Sequence, residues 1–418
     1  MSLPVTQFAP RTAAGAAQAQ QASERWARRR VVLVWCLLLF NVLTFYPKTW
    51  TGGPLVLPIP SAVGKVLTQG SMPAALLLAL TVNRRRLIRP NVFLCLVSLL
   101  VLGAVLGMVQ ASHLGTFYRT FRLAGLVATL WLLTPWWGRR DLLLVRAYLG
   151  AMSVVLGTVL LGVAISPSGA MAGGRLAGAI WPTPPPQVAE FAAVTTGLVA
   201  IMWACGLMRG RVTIAIVGLA TAILLLTHTR TALLAMVTGL LVAGLSLIVA
   251  RARVRKLFAV AAIAISIGAI TASGVVTTWL ARGESAQQLT DLTGRTDVWT
   301  QVVSAPRNLF QVVFGFGLSN KSFNGLPIDS NWLASYYDQG LWGVIVCAAI
   351  LVFLLVAAYF QPRGPMRALA LFLVVYCLVA SFTETGFSDA STYLLELTLA
   401  AALLGPAAER STLLRRLA

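Results

Sequence analysis

The sequence predicts an all-α fold: a polytopic helical membrane protein with about 12 transmembrane helices and one large extracytoplasmic loop that contains short helices. Two observations predict this class. Hydrophobic residues make up 58% of the 418 residues, charged residues only 11%, and the mean hydropathy is +0.82. Apolar windows of about 20 residues, long enough to cross a bilayer as a helix, recur along the chain. These features exclude a soluble globular protein.

The distribution of basic residues indicates the orientation of the chain. A net charge of +21 in a soluble domain would indicate nucleic-acid binding. Here 23 of the 33 Lys and Arg residues lie in the terminal tails and in the short connections on one side of the predicted spans, as the positive-inside bias requires. We therefore expect a multi-pass protein of the bacterial cytoplasmic (inner) membrane with both termini cytoplasmic. The lipid bilayer is the expected partner, and nucleic acid is not.

Twelve apolar runs define the predicted spans. They cover residues 31–46, 62–82, 92–109, 117–137, 142–165, 188–208, 212–227, 232–250, 257–272, 340–360, 368–382 and 392–404. The predicted domains are a disordered cytoplasmic tail (1–30), helices 1–9 (31–273), an extracytoplasmic loop (274–338), helices 10–12 (339–406) and a cytoplasmic tail (407–418). The first tail is predicted to be disordered because it is rich in Ala and Gln and poor in large apolar residues.

Ten basic residues fall on the predicted outer side, which insertion disfavours. Each is a candidate for binding an anion, and the alternative is that it reaches the lipid headgroups or is solvated. These residues are Lys48, Lys65, Arg119, Arg122, Arg175, Arg230, Arg282, Arg295, Arg307 and Lys321.

Two of these arginines lie between predicted spans. Arg175 is part of GGRLAGAIWPTPPPQ, a Gly/Pro-rich connection that cannot be helical throughout, and its glycines allow close approach to a bulky ligand. Arg230 is part of LLLTHTRTALLAM, where two spans meet with few polar residues between them. That turn places Arg230 at the outer membrane boundary. Its expected partner is a lipid phosphate or a substrate pyrophosphate, because a guanidinium binds phosphate bidentately.

The longest polar stretch is the predicted loop, which holds five of the 12 acidic residues. In LTGRTDVW, Arg295 and Asp297 precede apolar residues at helical spacing. This spacing predicts an amphipathic helix on the membrane surface, and the alternative is a local ion pair. Arg307, in the same loop, is expected at the protein surface.

Five motifs occur in the order GGRLAGAIW, THTRTALLA, LTGRTDVW, FGFGLSN and DSNWLASYYDQGLWG. In this order and spacing they resemble the O-antigen ligase and polymerase family of membrane glycosyltransferases. The resemblance implies an inverting, metal-independent enzyme of surface polysaccharide biosynthesis. Such enzymes transfer a glycan from undecaprenyl pyrophosphate to an acceptor sugar hydroxyl at the outer face of the cytoplasmic membrane. The implied partners are a lipid-linked glycan donor and a glycan or glycolipid acceptor, with no cofactor and no metal.

The resemblance also makes the loop catalytic, with arginines that bind the pyrophosphate. Arg230 and Arg295 are predicted to act in catalysis together with Asp329. The predicted substrate-binding residues are Arg175, Arg230, Arg295, Asp297, Lys321 and Asn331.

The predicted base departs from the family pattern. The family usually has a His-Asn or His-Ser pair eleven residues before the Gly that opens the next span, and here that position holds Asp329 followed by Ser330. An Asp can replace His as general base, but its ordinary pKa of ~3.9 makes it a poor base at neutral pH. We therefore expect the apolar residues around Asp329 to desolvate it and raise its pKa. The alternative is that Asp329 caps the next helix and that Asp297 or Asp338 is the base.

Four further carboxyl groups lie in or near the spans. Such groups usually face a cavity or a charged partner. The sequence does not distinguish acceptor binding from helix packing for Glu190, Glu384, Asp389 and Glu396.

Two functional alternatives stay open in the sequence. A ligase and a polymerase differ only in the acceptor, which the sequence does not identify. A transporter or flippase of lipid-linked oligosaccharides would also be a polytopic protein, and transporters commonly contain internal repeats. We find no convincing repeat, and an outer polar segment of ~60 residues fits a catalytic face better than a permeation path.

Overall fold

The computed structural model describes residues 13–44, 56–57, 59–109, 114–249, 251–271, 295–319 and 321–406. In this part of the chain the fold is all-α apart from two small hairpins. The helices are α1 (Ala13–Val42), α2 (Ser61–Val82), α3 (Val92–Met108), α4 (Leu114–Leu133), α5 (Leu143–Ile165), α6 (Pro167–Ala170), α7 (Pro185–Ala204), α8 (Gly210–Leu226), α9 (Arg230–Leu247), α10 (Ala252–Thr271), α11 (Arg295–Ser304), α12 (Leu309–Phe314), α13 (Asn331–Phe360), α14 (Pro365–Ala380) and α15 (Thr392–Leu404). A 3₁₀ turn (Thr134–Trp136) follows α4, and the strands are β1 (Met171–Ala172), β2 (Arg175–Leu176), β3 (Ser322–Phe323) and β4 (Leu326–Pro327).

The helices confirm the predicted fold class. Among the described residues, five helices are long and apolar enough to cross a membrane, namely α2, α5, α7, α9 and α13. Helices α3, α8, α14 and α15 are apolar but have only 13–17 residues. The count of about 12 spans and the division into tails, spans and loop remain predictions. The first part of the predicted loop (274–294) and the second tail (407–418) lie outside the described residues.

Three helices form the centre of the bundle. Helix α15 is buried from Thr392 to Leu403, and α7 is buried along nearly its whole length. Helices α8 and α9 pack against α7, and α14 packs against α9 and α15. Because a helix that is surrounded by protein needs no polar face, these segments are mostly apolar, with a few buried polar residues such as Glu190 and Glu396.

Helix α1 is longer than the sequence predicts. The predicted disordered tail is wrong from Ala13 onward, because α1 runs without interruption from Ala13 to Val42. Ala and Gln favour helix, and adding turns to an existing helix avoids the cost of nucleation. Ion pairs also hold this segment in place: Glu24 Oε1 lies 3.0 Å from Arg28 Nη2 and 3.1 Å from Arg139 Nη2.

A kink divides α13 at Gly340, where the sequence predicts the start of a span. Gly340 has φ 64° and ψ −158°, a conformation that favours glycine. The kink interrupts the helical hydrogen bonds, so the preceding carbonyls accept from other groups. Phe316 N donates to Tyr337 O at 3.0 Å, and Gly317 N donates to Asp338 O at 2.9 Å. The FGFG motif therefore docks on the kink and fixes the segment that follows it.

Candidate functional site

A cavity of about 960 Å³ opens at one end of the bundle. It lies between the C-terminal end of α1, the N-terminal ends of α2, α4, α7 and α15, and the two hairpins. Its volume is near the upper end of the ~300–1,000 Å³ typical of small-molecule sites. Among the described residues, six cationic side chains and four carboxyl groups line it: Lys65, Arg119, Arg122, Arg175, Arg295 and Lys321, with Glu190, Asp329, Glu384 and Asp389. This charge pattern favours an anionic ligand.

The first hairpin positions Arg175. Strands β1 and β2 pair antiparallel, with Ala172 opposite Arg175, and Gly173 and Gly174 form the turn at φ 56° and 76°. Two successive positive φ angles make Gly-Gly a favourable turn sequence. Arg175 then donates from Nε to Thr227 O at 2.9 Å and from Nη2 to Thr229 Oγ1 at 3.1 Å. The hairpin thus holds Arg175 against the turn between α8 and α9.

The second hairpin positions residues at both of its ends. Strands β3 and β4 pair antiparallel across the turn Asn324–Gly325, where both residues have positive φ. Asn-Gly is the commonest sequence for such a turn. Just outside the paired strands, Ile328 N donates to Lys321 O at 2.7 Å. The hairpin therefore fixes Lys321 at its start and Asp329 immediately after its end.

One group of charged residues, which we term the Asp329 cluster, consists of Arg175, Arg295, Asp329 and Glu384. Arg295 begins α11, and its Nε donates to Asp329 Oδ2 at 3.0 Å. Glu384 follows α14 and interacts electrostatically with Asp329, Arg295 and Arg175. The predicted residues Arg175, Arg295 and Asp329 are thus brought together, and Glu384 joins them.

Glu384 differs from an ordinary glutamate in its pKa. The side chain keeps part of its surface open to the cavity, while protein atoms surround the rest. Burial raises its pKa to about 7, and the negative charge of Asp329 acts in the same direction. Arg295 and Arg175 oppose the shift but do not cancel it. Glu384 can therefore gain or lose a proton near neutral pH.

A second group, the Asp389 cluster, consists of Arg119, Arg122, Lys321 and Asp389. The Asp389 side chain is only 2% exposed, and its Oδ2 lies 3.6 Å from Arg119 Nη1, 3.6 Å from Arg122 Nη2 and 3.9 Å from Lys321 Nζ. Arg122 Nη2 also donates to Ala390 O. Burial alone would raise the pKa of Asp389, but Arg122, Lys321 and Arg119 hold it below its ordinary value. This carboxyl is therefore a stable anion.

The structure corrects the expected environment of Asp329. The apolar neighbours were expected to bury it, yet its side chain is 35% exposed. Pro327 is exposed, and Leu326 is 53% exposed, because both lie on the hairpin surface. The sequence predicts a strongly desolvated carboxyl group at Asp329. In the structure, the carboxyl group with that property is the one of Glu384.

Three predicted site residues do not line the cavity. Asp297 is exposed on the first turn of α11. Asn331 is buried, and its Oδ1 accepts hydrogen bonds from Gly386 N at 3.2 Å and Phe387 N at 2.9 Å. It thereby holds the segment that contains Glu384 against α13. Arg230 is half-buried at the start of α9, directly after the turn that binds Arg175. These positions support indirect roles.

Two other loop residues have structural contacts. Asp338, an alternative base in the sequence, is buried, and its Oδ1 accepts a hydrogen bond from Ser319 N at 3.2 Å. Arg307, expected at the surface, is half-buried. Its guanidinium lies 4.1 Å from the ring centre of Tyr336, and it donates to Val302 O at 2.8 Å. A planar cation that stacks on aromatic rings stabilises the loop.

Sequence reasoning assigned no role to several residues of the cavity. Arg119 and Arg122 belong to the ten outer cations, and that position was the signal that could have identified them. Of the four carboxyl groups left unassigned, Glu190, Glu384 and Asp389 line the cavity. Glu396 is buried and accepts a hydrogen bond from Tyr148 Oη at 2.7 Å.

Comparison with known proteins agrees with the motifs. Residues 213–341 match the family model described as O-Antigen ligase. No curated protein matches the chain. The matched region contains Arg230, Arg295 and Asp329, whereas Arg175 and Glu384 lie outside it. The match supports a glycan-transfer role in surface polysaccharide biosynthesis for a bacterial membrane protein. It confirms the resemblance found in the sequence: residues 213–341 are similar to the O-antigen ligase family.

Proposed function

We propose that the protein transfers a glycan from a polyprenyl-pyrophosphate donor to a hydroxyl of an acceptor sugar. The reaction takes place at the outer face of the bacterial cytoplasmic membrane, and both termini of the chain are cytoplasmic. The observation that carries this proposal is the cavity, in which arginines surround a carboxyl group that titrates near neutral pH. Arginines suit a pyrophosphate leaving group, and the carboxyl group suits an attacking hydroxyl.

The Asp329 cluster binds the donor. Arg175 and Arg295 contact the pyrophosphate oxygens, where their planar guanidinium groups can each donate two hydrogen bonds. Negative charge grows on the pyrophosphate as the glycosidic bond breaks, so fixed cations stabilise the transition state more than the bound substrate. Asp329 orients Arg295 through their hydrogen bond. Arg230, directly after the turn between α8 and α9 that Arg175 contacts, supports Arg175.

Glu384 accepts the proton. The acceptor hydroxyl oxygen forms a bond to the anomeric carbon, and the bond from that carbon to the pyrophosphate oxygen breaks. Polyprenyl pyrophosphate leaves with the electron pair, and the hydroxyl proton moves to the Glu384 carboxylate. A single displacement from the opposite face inverts the anomeric configuration, and the arginines supply the charge stabilisation without a metal ion. A pKa near 7 suits a base at neutral pH, whereas Asp329 is engaged in its contact with Arg295.

The direct test is transfer by the purified full-length protein in detergent. The donor is an undecaprenyl-pyrophosphate-linked glycan, and two acceptors are compared: a second lipid-linked glycan, for polymerase activity, and a glycolipid core, for ligase activity. We expect elongation of one acceptor together with release of undecaprenyl pyrophosphate. Addition of a chelator should leave the rate unchanged.

The same preparation separates this proposal from a flippase. The proposal would be overturned if the protein translocates the lipid-linked glycan in reconstituted vesicles and forms no new glycosidic bond in the detergent assay. The Glu384→Gln variant is the control that shows whether transfer depends on this site. It keeps the side-chain shape and removes the proton acceptor.

A further inference from the structure

The Asp389 cluster contains more positive charge than its fold contacts require. Arg119, Arg122 and Lys321 all approach the same oxygen of Asp389, at 3.6, 3.6 and 3.9 Å. The other oxygen accepts a hydrogen bond from Ala390 N at 2.6 Å. Three positive charges thus surround one carboxylate, and all three cationic side chains line the cavity.

The contacts within the fold leave the cluster positively charged. Arg119 and Arg122 both tie α4 to Asp389, and Arg122 also donates to Ala390 O. Asp338 also interacts with Lys321. When the negative charge of Asp338 is counted, the cluster still keeps a net positive charge. The cationic side chains are 17–26% exposed and line the cavity, so they are not sealed in the protein interior. An anion in the cavity can reach them.

The cluster is distinct from the residues that bind the donor in the proposed function. Its cations lie on α4 and at the start of the second hairpin, whereas Arg295 lies on α11 and Asp329 follows the end of that hairpin. Lys65 of α2 adds a further cation to the cavity wall. One cavity of about 960 Å³ holds both groups, which leaves room for two ligands at once.

We infer that the Asp389 cluster is a second anion-binding site, which takes a phosphate or carboxylate group carried by the acceptor glycan. The existence of the site rests on the arrangement of Arg119, Arg122 and Lys321 alone. Its assignment to the acceptor rests on the proposed function. In that role the cluster makes the enzyme specific for acidic acceptors and holds the attacking hydroxyl away from the donor arginines.

Glucose 6-phosphate is the probe for this site, with glucose as the neutral comparison. The purified full-length protein in detergent is titrated calorimetrically, first alone and then saturated with undecaprenyl pyrophosphate, which occupies the donor site. We expect glucose 6-phosphate to bind in both titrations with a similar Kd, and glucose to bind far more weakly. If the Kd for glucose 6-phosphate rises in proportion to the concentration of undecaprenyl pyrophosphate, both anions use one site, and the inference is overturned.

Two variants test the residues. Arg122→Gln should raise the Kd for glucose 6-phosphate by about 10-fold or more, because a charged hydrogen-bond donor is lost. Its affinity for undecaprenyl pyrophosphate should stay within about 2-fold of the parent's, because Arg122 does not bind the donor in the proposed function. Arg211→Gln, which changes an exposed arginine at the start of α8, is the matched control and should behave like the parent. An unchanged Kd in Arg122→Gln overturns the inference.

Asp389→Asn provides a result that misfolding cannot imitate. Removal of the competing carboxylate should tighten glucose 6-phosphate binding, and the ligand should raise the Tm of this variant more than that of the parent. Weaker binding by a folded Asp389→Asn protein contradicts the inference. The titration without undecaprenyl pyrophosphate tests the anion site even if the transfer assay fails, so the two proposals fail separately.

Discussion

Glu384 and Asp389 line the same cavity five residues apart, and their pKa values shift in opposite directions. Glu384 keeps part of its surface open to the cavity, yet its pKa rises to about 7. Asp389 is almost fully buried, yet its pKa falls below the ordinary value. Burial raises the pKa of both groups, and the nearby cations decide whether that rise survives. Asp389 has three cations at 3.6–3.9 Å, whereas the arginines near Glu384 share their charge with Asp329.

This difference gives the two clusters different chemical properties. A carboxyl group that titrates near neutral pH can accept a proton, which suits catalysis. A carboxylate held as an anion by three cations can only organise charge, which suits binding. The contrast depends on the number of nearby cations, so variants that change one charge at a time can break it or sharpen it.

The largest expected effect is on the proton acceptor. Glu384→Gln should lower the rate of glycan transfer by ~10²–10⁴, because it removes general-base catalysis. Binding of undecaprenyl pyrophosphate should survive, since the arginines remain. In the parent enzyme, kcat/KM should rise with pH up to about 7 as Glu384 loses its proton. That dependence should be absent in Glu384→Gln.

Asp329→Asn is the matched comparison for this experiment. If Asp329 only orients Arg295, its loss should weaken donor binding and leave the pH dependence near 7 in place. A parent-like rate for Glu384→Gln, with the pH dependence lost in Asp329→Asn, would return the role of base to Asp329.

The next effect concerns the donor arginines. Arg295→Gln should raise the Kd for undecaprenyl pyrophosphate by about 10-fold or more, because one charged donor is removed. Arg230→Lys should have a smaller effect, since Arg230 does not line the cavity in the described part of the chain. A larger loss in Arg230→Lys than in Arg295→Gln would show that Arg230 contacts the pyrophosphate directly. The Kd values can be measured by calorimetry on the purified proteins.

The sequence predicts the helices well because their apolar runs are long and local. It also predicts that Arg175, Arg295 and Asp329 approach one another, since their motifs occur in family order. The second hairpin was missed, although Asn324–Gly325 between short polar and apolar segments is a recognisable turn signal. That turn explains why Lys321 and Asp329 lie in different clusters.

The pKa contrast could not be predicted from the sequence. Glu384 comes near Asp329 only because Asn331 binds the backbone of Gly386 and Phe387, a contact across more than 50 residues. Asp389 meets Arg122 across 267 positions in the chain. Such long-range contacts decide how many cations surround each carboxyl group, and no local pattern records them.

A smaller effect is expected from a cation that belongs to neither cluster. Arg307→Ala should lower the stability of the folded protein by about 1–3 kcal/mol, because it removes a ring contact and hydrogen bonds to two carbonyls. Transfer per folded molecule should stay near that of the parent. Thermal unfolding in detergent and the transfer assay check this together. A loss of donor affinity in Arg307→Ala would mean that any arginine of the loop affects the site, and the distinction between clusters would fail.

The smallest effect is the pH dependence of stability, and it tests the contrast most directly. The pKa of Glu384 in the folded protein lies above its ordinary value of 4.5, so the folded state binds more protons than the unfolded state between pH 4.5 and about 7. Stability should therefore fall as the pH rises through this window, and Glu384→Gln should lose less stability than the parent. The pKa of Asp389 is shifted the other way, so its contribution is complete above its ordinary value of 3.8 and is lost only as the pH falls below it. The Tm of Asp389→Asn should thus differ from that of the parent by the same amount at every pH from 5 to 8. If instead the two variants change the pH dependence of the Tm in the same direction between pH 5 and 8, the opposite shifts do not exist. In that case the cavity holds two equivalent carboxyl groups, and the assignment of one to catalysis and the other to binding is wrong.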